Sequence, residues 1–208
     1  DNDIRGENVK DMGLEGMRFD IVYGGGRITA TIPSPGIHMV MNSLCAAAVG
    51  LTLGIEPELI KQGIESYAPV EGRMQIIKTQ RLTLLDDSFN ANPTSMAAAI
   101  NIACRASGRT VLILGDMLEL GEKGAEYHRD MGKKAVECGA DMMIGKGPLM
   151  KNACEETERA GIETMHFDTS EDIMRALDNC LRDGDTVLVK ASHGTNLKDV
   201  AEYIKANF

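Results

Sequence analysis

Residues 84–93 read Leu-Leu-Asp-Asp-Ser-Phe-Asn-Ala-Asn-Pro, and this stretch decides how the fold is interpreted. The apolar run at residues 82–85 has the character of a buried strand, and it leads into two adjacent carboxylates, Asp86 and Asp87. A polar turn follows, and Asn92 before a proline is a common helix start. The stretch therefore predicts a strand–loop–helix unit. Its loop lies at the carboxyl end of the strand, where open α/β sheets bind their ligands.

The polar side chains of this loop have two interpretations. Asp and Asn side chains can hold ribose hydroxyls, an amine or a metal ion. The alternative is a purely structural helix cap, and a cap accounts for Asn92. One cap leaves Asp86, Asp87 and Asn90 without a role, so the residue types favour a ligand site.

After residue 70, short apolar runs alternate with amphipathic segments. Predicted strands cover residues 75–78, 82–85, 111–114, 142–144, 164–167 and 186–189, and predicted helices cover residues 94–106, 125–138, 149–160, 171–181 and 196–206. This alternation predicts crossover connections and an α/β fold with a mostly parallel sheet. The strands are apolar on both faces, which is typical of a sheet covered on both sides.

The first 69 residues predict a smaller and separate arrangement. Apolar and polar side chains alternate on both sides of Gly24-Gly25-Gly26, which predicts a β-hairpin. The hairpin strands cover residues 17–23 and 27–32, and two predicted helices cover residues 40–53 and 57–67. The segment 68–72 contains Pro69 and Gly72 and predicts a domain boundary. The predicted domains are therefore residues 1–69 and residues 70–208.

The composition is that of an ordinary soluble globular protein, since 43% of the 208 residues are hydrophobic and 25% are charged. The formal net charge of −9 disfavours nucleic acid or a membrane surface as a partner. The sequence shows no signal peptide, and the apolar stretch 40–55 is interrupted by polar residues and short for a membrane span. We therefore predict a cytoplasmic protein.

The cysteines are scattered and form no Cys-x-x-Cys pair. Because each falls in an apolar helical pattern, we predict buried, reduced thiols rather than a disulfide framework or a zinc site. The five positions are Cys45, Cys104, Cys138, Cys154 and Cys180.

Two further strand ends carry polar side chains. Asp116 follows the predicted strand 111–114, and it could be a ligand group or a helix cap. Lys190, Ser192 and His193 follow the predicted strand 186–189. They could bind a phosphate or carboxylate. The alternative is a solvated loop in which Ser192 or Thr195 caps the last helix. No oxyanion hole is evident, so a Ser–His nucleophile is not supported.

Three other residues are candidates for binding. His38 and Asn42 are four residues apart at a helix start, so both side chains lie on one face and could grip the edge of a heterocycle. A structural His is the alternative. Arg73 follows Gly72 at the predicted boundary and could reach a phosphate or ribose, or form a surface salt bridge. No Gly-x-Gly-x-x-Gly or Gly-x-x-x-x-Gly-Lys-Ser/Thr motif occurs in the sequence.

Taken in order, these segments resemble the Mur ligase family, and the resemblance extends over nearly the whole chain from about residue 17. Two strings are typical of the branch that adds D-alanyl-D-alanine: Asn-Ala-Asn-Pro at residues 90–93 and Gly-Asp-Met-Leu-Glu-Leu-Gly at residues 115–121. The other matching strings are Pro35-Gly36-Ile37-His38 with Asn42, Glu71-Gly72-Arg73, Asp86-Asp87-Ser88-Phe89 and Val189-Lys190-Ala191-Ser192.

The resemblance implies an organisation into three domains: one for a UDP-sugar, a central ATPase domain, and a C-terminal Rossmann-like domain. On this pattern residues 1–69 resemble the C-terminal part of the central ATPase domain, and residues 70–208 resemble the C-terminal domain. The phosphate loop and the metal ligands of the family would lie upstream, in missing N-terminal domains. We therefore predict that the 208-residue chain alone has no ligase activity.

The resemblance also implies a reaction in peptidoglycan precursor synthesis. ATP phosphorylates the carboxylate of UDP-N-acetylmuramoyl-tripeptide, and the amine of D-alanyl-D-alanine attacks the acyl phosphate to give an amide, ADP and phosphate. Mg²⁺ offsets the phosphate charge, as in other phosphoryl transfers. The implied cofactors are ATP and Mg²⁺, and the implied partners are the two peptide substrates.

Residue roles follow from the resemblance position by position. The residues that would bind ATP at its adenosine end are His38, Asn42, Arg73, Asp87 and Asn90. Asp87 would accept from ribose hydroxyls, and Arg73 would reach ribose or phosphate. The residues on the dipeptide side would be Lys190, Ser192 and Asp116.

Two positions depart from the family pattern. Met39 stands where the family often has Asn, which removes an amide from one adenine contact. His193 stands where an Arg is common, which removes a permanent, bidentate charge. Two alternatives to the D-alanyl-D-alanine branch remain. One is another amide ligase, such as a different muropeptide ligase or a folylpolyglutamate synthetase. The other is a non-catalytic Rossmann-like nucleotide-binding module.

Overall fold

The computed structural model describes residues 3–208, and the chain divides into two compact units, Asp1–Pro69 and Val70–Phe208. Within residues 3–69 the first unit is a three-stranded antiparallel sheet with two helices. Its elements are β1 (Ile4–Asp11), β2 (Met17–Tyr23), β3 (Gly26–Ile32), α1 (Ile37–Thr52) and α2 (Pro57–Glu65).

The predicted hairpin is confirmed, because Met17 on β2 pairs with Ile32 on β3 in an antiparallel register. The sequence did not predict β1. Its side chains are polar at most positions and largely exposed, so they show no alternating apolar pattern. Helix α1 starts three residues earlier than predicted. Gly36 precedes it with a φ of 101°, a backbone conformation that favours glycine.

The first unit has a small core and an exposed apolar side. Phe19 and Ile21 on β2 are buried together with residues of β3, α1 and α2. An open cavity of about 430 Å³ lies between β3 and the two helices. The helices and their connections also expose large apolar side chains: Ile37, Met41, Val49, Leu53, Ile55 and Leu59.

The second unit, Val70–Phe208, contains a six-stranded sheet in the order β4-β5-β9-β6-β7-β8. The strands are β4 (Gln75–Lys78), β5 (Thr83–Asp87), β6 (Thr110–Gly115), β7 (Met142–Lys146), β8 (Glu163–Phe167) and β9 (Thr186–Lys190). β4 is antiparallel to β5, and the other neighbouring pairs are parallel. The predicted α/β fold with a mostly parallel sheet is therefore confirmed.

Helices cover both faces of this sheet and bury its apolar strands, as the side-chain pattern predicted. The helices of Val70–Phe208 are α3 (Pro93–Cys104), α4 (Gly124–Cys138), α5 (Lys151–Arg159), α6 (Ser170–Cys180) and α7 (Lys198–Asn207). Leu112 and Ile113 on β6 are fully buried, like Val187 and Leu188 on β9. These two strands therefore form the centre of the core.

The five parallel strands of Val70–Phe208 end at one edge of the sheet, which brings their following loops together. Asp87 at the end of β5 is opposite Lys190 at the end of β9. Lys190 in turn is beside the end of β6, which leads into Asp116. This carboxyl edge positions the candidate site.

The cysteines lie in helices as predicted and all five are free. Their expected burial is correct for Cys154 and Cys180 only. Cys45 is exposed, and Cys104 and Cys138 are half-buried, because they face away from the centres of their cores. Across the described helices, none combines the length and apolar character needed to cross a membrane.

Candidate functional site

Asp87 and Lys190 form the centre of the carboxyl edge. Lys190 Nζ lies 2.6 Å from Asp87 Oδ2 and 2.8 Å from the backbone oxygen of Asn90. The other Asp87 oxygen, Oδ1, accepts a hydrogen bond from the backbone N–H of Met74 at 3.0 Å. Burial raises the pKa of the Asp87 carboxyl group above its usual value, while the charge and hydrogen bond of Lys190 oppose this shift. Lys190 therefore ties the end of β9 to the loop that follows β5.

Asp86 has a different environment from Asp87, because successive side chains of a strand point to opposite faces of a sheet. Asp86 is fully buried. Its Oδ1 accepts from the hydroxyl of Ser88 at 2.6 Å, and its Oδ2 accepts from Lys205 Nζ of α7 at 2.8 Å. Asp86 therefore anchors α7 to the sheet and has no exposed oxygen for a ligand.

The amides of the same loop also differ in what they do. Asn92 caps α3: its side-chain oxygen accepts from the backbone N–H of Ser95, and the Ser95 hydroxyl accepts from the backbone N–H of Asn92. The predicted helix cap is thus confirmed. Asn90 is exposed, and its side-chain oxygen accepts from the backbone N–H of Ala91 at 2.9 Å.

Asp116 caps a helix, although not the helix that follows it directly. Its two oxygens accept from the backbone N–H groups of Met150 and Leu149, at 2.7 and 3.2 Å, just before α5. The loop can approach so closely because residue 147 is glycine. Gly147 has a φ of +99°, and a Cβ atom there would lie 2.6 Å from Asp116 Cγ. Both oxygens of this buried carboxylate therefore hold the connection between β7 and α5.

Ser192 joins three loops of the edge. Its hydroxyl accepts from the backbone N–H of Leu118 and donates to the backbone oxygen of Ala91. Its own backbone N–H donates to the backbone oxygen of Asp116 at 3.1 Å. Neither Ser192 nor Thr195 caps α7, contrary to one expectation from the sequence, since α7 begins after Leu197 without a side-chain cap. The Ser192 hydroxyl therefore both accepts and donates a hydrogen bond within these loops.

His128 holds the loop after β6 by a hydrogen bond, a role that the sequence did not indicate. His128 is fully buried on α4. Its Nδ1 lies 2.6 Å from the backbone oxygen of Gly124, and its Nε2 accepts from the backbone N–H of Met117 at 2.9 Å. This pattern requires a neutral imidazole with the proton on Nδ1. A buried histidine within a helical apolar pattern was the only available signal.

Exposed side chains lie above this hydrogen-bonded base. The guanidinium carbon of Arg73 is 4.1 Å from the centre of the Phe89 ring, a cation–π contact. The His193 ring is also close to Phe89, and the two ring centroids are 5.7 Å apart. Phe89 is 43% exposed. No separate role for Phe89 was predicted, because an aromatic residue within a polar loop has no periodic pattern to indicate its contacts.

The loop after β6 contributes two more exposed side chains. Leu118 is 43% exposed and packs against Gly194, where a Cβ atom would lie 3.1 Å from Leu118 Cδ1. Glu119 is exposed and has a φ of +62°. We call Arg73, Phe89, Leu118, Glu119 and His193 the exposed rim. Its residues lie in the loop before β4 and in the loops after β5, β6 and β9.

The structure brings together most of the sequence-predicted site residues within the second unit: Arg73, Asp87, Asn90, Asp116, Lys190 and Ser192. His38 and Asn42 belong to the first unit. They are exposed in the first turns of α1, and Asn42 also lines the open cavity of that unit. Among residues 3–208, no group of three or more His, Cys, Asp or Glu side chains is arranged to hold a metal ion.

Comparisons with known proteins agree with this architecture. The family model for "Mur ligase, glutamate ligase domain" matches residues 72–193. A UDP-N-acetylmuramoyl-tripeptide–D-alanyl-D-alanine ligase from Buchnera aphidicola subsp. Baizongia pistaciae is 33% identical over 193 residues, which are 91% of this chain and 41% of that relative. The chain thus spans about two-fifths of the length of the curated relatives it matches.

Two solved structures have a similar fold. MurF from Acinetobacter baumannii superposes with a TM-score of 0.90 at 25% identity, over 99% of this chain and 46% of that chain. MurF ligase from Thermotoga maritima, solved in complex with ADP, superposes with a TM-score of 0.80 at 21% identity, over 98% of this chain and 46% of that chain. With a family model that matches more than half of its residues and with this fold, the chain belongs to the Mur ligase family.

Proposed function

We propose that this chain works as part of an ATP-dependent ligase that adds D-alanyl-D-alanine to UDP-N-acetylmuramoyl-tripeptide in peptidoglycan precursor synthesis. The name of the Buchnera relative, UDP-N-acetylmuramoyl-tripeptide–D-alanyl-D-alanine ligase, supports this reaction. The new amide bond forms between the tripeptide carboxylate and the dipeptide amine, with ATP converted to ADP and phosphate. We propose a cytoplasmic location for this reaction.

The observation that carries the proposal is a contrast between two layers at the carboxyl edge of the sheet. Asp86, Asp116 and Lys190 are buried and hydrogen-bonded to the protein. Above them, within the part of the chain that the structure describes, the charged groups of Arg73 and Glu119 have no hydrogen-bond or ion-pair partner. A rigid base under uncommitted charges is what a site for charged substrates requires, because the base holds the ligand-binding groups in position.

For the nucleotide, we propose that His38, Asn42, Arg73, Asp87 and Asn90 bind the adenosine end of ATP. Both Asp87 oxygens already accept one hydrogen bond, but a carboxylate has further lone pairs for a ribose hydroxyl. Arg73 keeps its charge and can reach ribose or phosphate. The Thermotoga structure, which was solved in complex with ADP, supports a nucleotide as ligand.

For the dipeptide, we propose that Lys190, Ser192 and Asp116 act from beneath as positioning residues. Their polar groups hold the loops after β5, β6 and β9, so their contribution is the position of the exposed rim. We propose that the ligands of Mg²⁺ belong to other parts of the ligase.

On the same basis we propose the domain identities. Residues 1–69 correspond to the C-terminal part of the central ATPase domain, and residues 70–208 correspond to the C-terminal domain that brings the dipeptide. The exposed apolar side of the first unit supports this assignment. Val49 on α1 and Leu59 on α2 are exposed to solvent, and further residues of a central domain would cover such side chains.

The test uses the protein expressed from the complete gene that encodes this chain. Phosphate release is measured with ATP, Mg²⁺, UDP-N-acetylmuramoyl-tripeptide and a panel of free amino acids and dipeptides. We expect release and an amide product with D-alanyl-D-alanine and neither with single amino acids or with the 208-residue chain alone. Release with glutamate or another single amino acid would indicate a different amide ligase, and no acceptor-dependent release would indicate a non-catalytic nucleotide-binding module.

A further inference from the structure

Glu119 has a backbone conformation that most residues avoid. Its φ of +62° lies in the left-handed region, which is unfavourable for residues other than Gly, Asn and Asp. Such conformations are concentrated at binding and catalytic sites, where the surrounding structure holds them. The Glu119 carboxylate is exposed and has no hydrogen-bond or ion-pair partner in residues 3–208. Neither its strain nor its charge therefore serves the packing of the second unit.

The structure under Glu119 is rigid. The two preceding backbone N–H groups donate to buried acceptors: that of Met117 to His128 Nε2 at 2.9 Å, and that of Leu118 to the Ser192 hydroxyl at 3.0 Å. Met117 itself is fully buried. These hydrogen bonds hold the backbone that leads into Glu119 at the carboxyl edge.

The neighbours of Glu119 form an ordered surface. Leu118 packs against Gly194, next to His193. His193 is adjacent to Phe89, which carries the Arg73 guanidinium on its ring. The exposed rim thus combines an anionic carboxylate with apolar and aromatic side chains and with the imidazole of His193, which can donate a hydrogen bond. A small zwitterion with short apolar side chains is complementary to these groups, whereas the anionic phosphates of ATP would be repelled by Glu119.

Resting on the proposed function, we propose that Glu119 binds the ammonium group of D-alanyl-D-alanine. Leu118 then packs against a methyl group of the dipeptide, and an N–H of His193 donates to the dipeptide carboxylate. Glu119 is thereby a specificity-determining residue for an acceptor with a free amine.

The test measures steady-state kinetics of the protein expressed from the complete gene, with Glu119→Gln as the variant. The KM for D-alanyl-D-alanine should rise roughly tenfold, the loss expected for one charge-assisted hydrogen bond. The KM values for ATP and for UDP-N-acetylmuramoyl-tripeptide should stay unchanged. Glu122→Gln is the matched control, because Glu122 is an exposed carboxylate three residues further along the same loop. Its KM values should equal those of the wild type.

A second pair of variants separates charge from backbone strain. Asp and Asn both tolerate a positive φ, so Glu119→Asp and Glu119→Asn differ in charge alone. The Asp variant should bind the dipeptide more tightly than the Asn variant.

Each outcome decides one of the two proposals. A wild-type protein without dipeptide-dependent phosphate release would overturn the proposed function. An active wild type whose Glu119→Gln variant keeps its KM for the dipeptide would overturn only the role of Glu119. Equal KM values for the Asp and Asn variants would do the same.

Discussion

Lys190 Nζ lies 2.6 Å from Asp87 Oδ2, and only 2% of Lys190 is exposed. This ion pair joins the ends of two neighbouring parallel strands, β9 and β5, under the loops of the candidate site. A buried charge is stable only while it is paired and hydrogen-bonded. The contact therefore makes the geometry of the site depend on one side-chain pair.

Replacing Lys190 by Met should strongly destabilise the second unit. The change leaves the Asp87 carboxylate without its charged partner, and breaking a buried pair in this way costs about 3–5 kcal/mol. Urea unfolding of the full chain measures the loss of free energy of unfolding. Hydrogen exchange at the amides of β9 shows where in the second unit this loss occurs. The double variant K190M/D87L should recover most of the stability, because it removes the unpaired charge as well.

The control for this experiment is Lys133→Met. Lys133 pairs with Asp130 at 3.2 Å, but both side chains are about half exposed. An exposed pair contributes about 0–1 kcal/mol, so this variant should unfold like the wild type. A K190M variant as stable as K133M would show that the buried pair does not support the edge.

Replacing Asp116 by Ala should loosen α5. The variant loses the acceptors for the backbone N–H groups of Leu149 and Met150, and loss of a cap costs about 0.5–2 kcal/mol. Hydrogen exchange of the α5 amides should become faster than in the wild type. Asp130→Ala, an exposed carboxylate on α4, should leave these amides unchanged, and an equal effect of both variants would contradict the cap.

The stability of the first unit should fall in acid because of Asp20. Hydrogen bonds from Thr29, Asn8 and Arg27 lower the pKa of Asp20 from its usual 3.8 to about 2. A carboxyl group with a lowered pKa in the folded state stabilises the fold above its unfolded pKa, and this contribution is lost as the pH falls toward the folded value. The loss should therefore occur between about pH 4 and pH 2.

Thermal unfolding of the wild type and of Asp20→Asn across this pH range tests the prediction. The Asn variant should be less stable at pH 5, and the difference between the two proteins should shrink toward pH 2. A constant difference over the whole range would show that the charge of Asp20 is not responsible. Asp3→Asn serves as a control for an exposed carboxylate in the same unit.

The cysteines should differ in their reactivity toward iodoacetamide. Cys45 is exposed and should be alkylated first in the native chain at pH 8. Burial raises the pKa of the Cys154 thiol to about 12, so both access and thiolate formation are suppressed there. Mass spectrometry of peptides should find Cys154 and Cys180 modified only after denaturation, and early modification of Cys154 would contradict its burial.

Much of the fold could be predicted because the pattern of apolar residues follows from local geometry. The predicted strand at residues 111–114 is the buried β6 (Thr110–Gly115), and the predicted helix at residues 125–138 is α4 (Gly124–Cys138). β1 (Ile4–Asp11) was missed, since a strand held mainly by backbone pairing to β2 needs no apolar side chains. Its existence depends on a partner strand rather than on its own composition.

The candidate site was predicted less completely. The sequence correctly directed attention to the ends of β5, β6 and β9, because strand ends are recognisable from the apolar runs before them. It could not show that Asp116 and Ser192 form hydrogen bonds with loops far along the chain. It also could not show that Phe89 contacts both Arg73 and His193, because these three residues come from separate loops.

By itself the sequence determined the alternation of strands and helices, the loop composition at each strand end and the Mur ligase resemblance, since all of these depend on residues that are neighbours in the chain. Only the tertiary structure decided which polar groups remain available to a ligand. Asp86 and Asp87 are adjacent in sequence, yet Asp86 is buried against Lys205 and Asp87 faces Lys190 at the carboxyl edge. The pleat of β5 separates the two side chains, and the packing of α7 and the order of the strands supply a different partner for each.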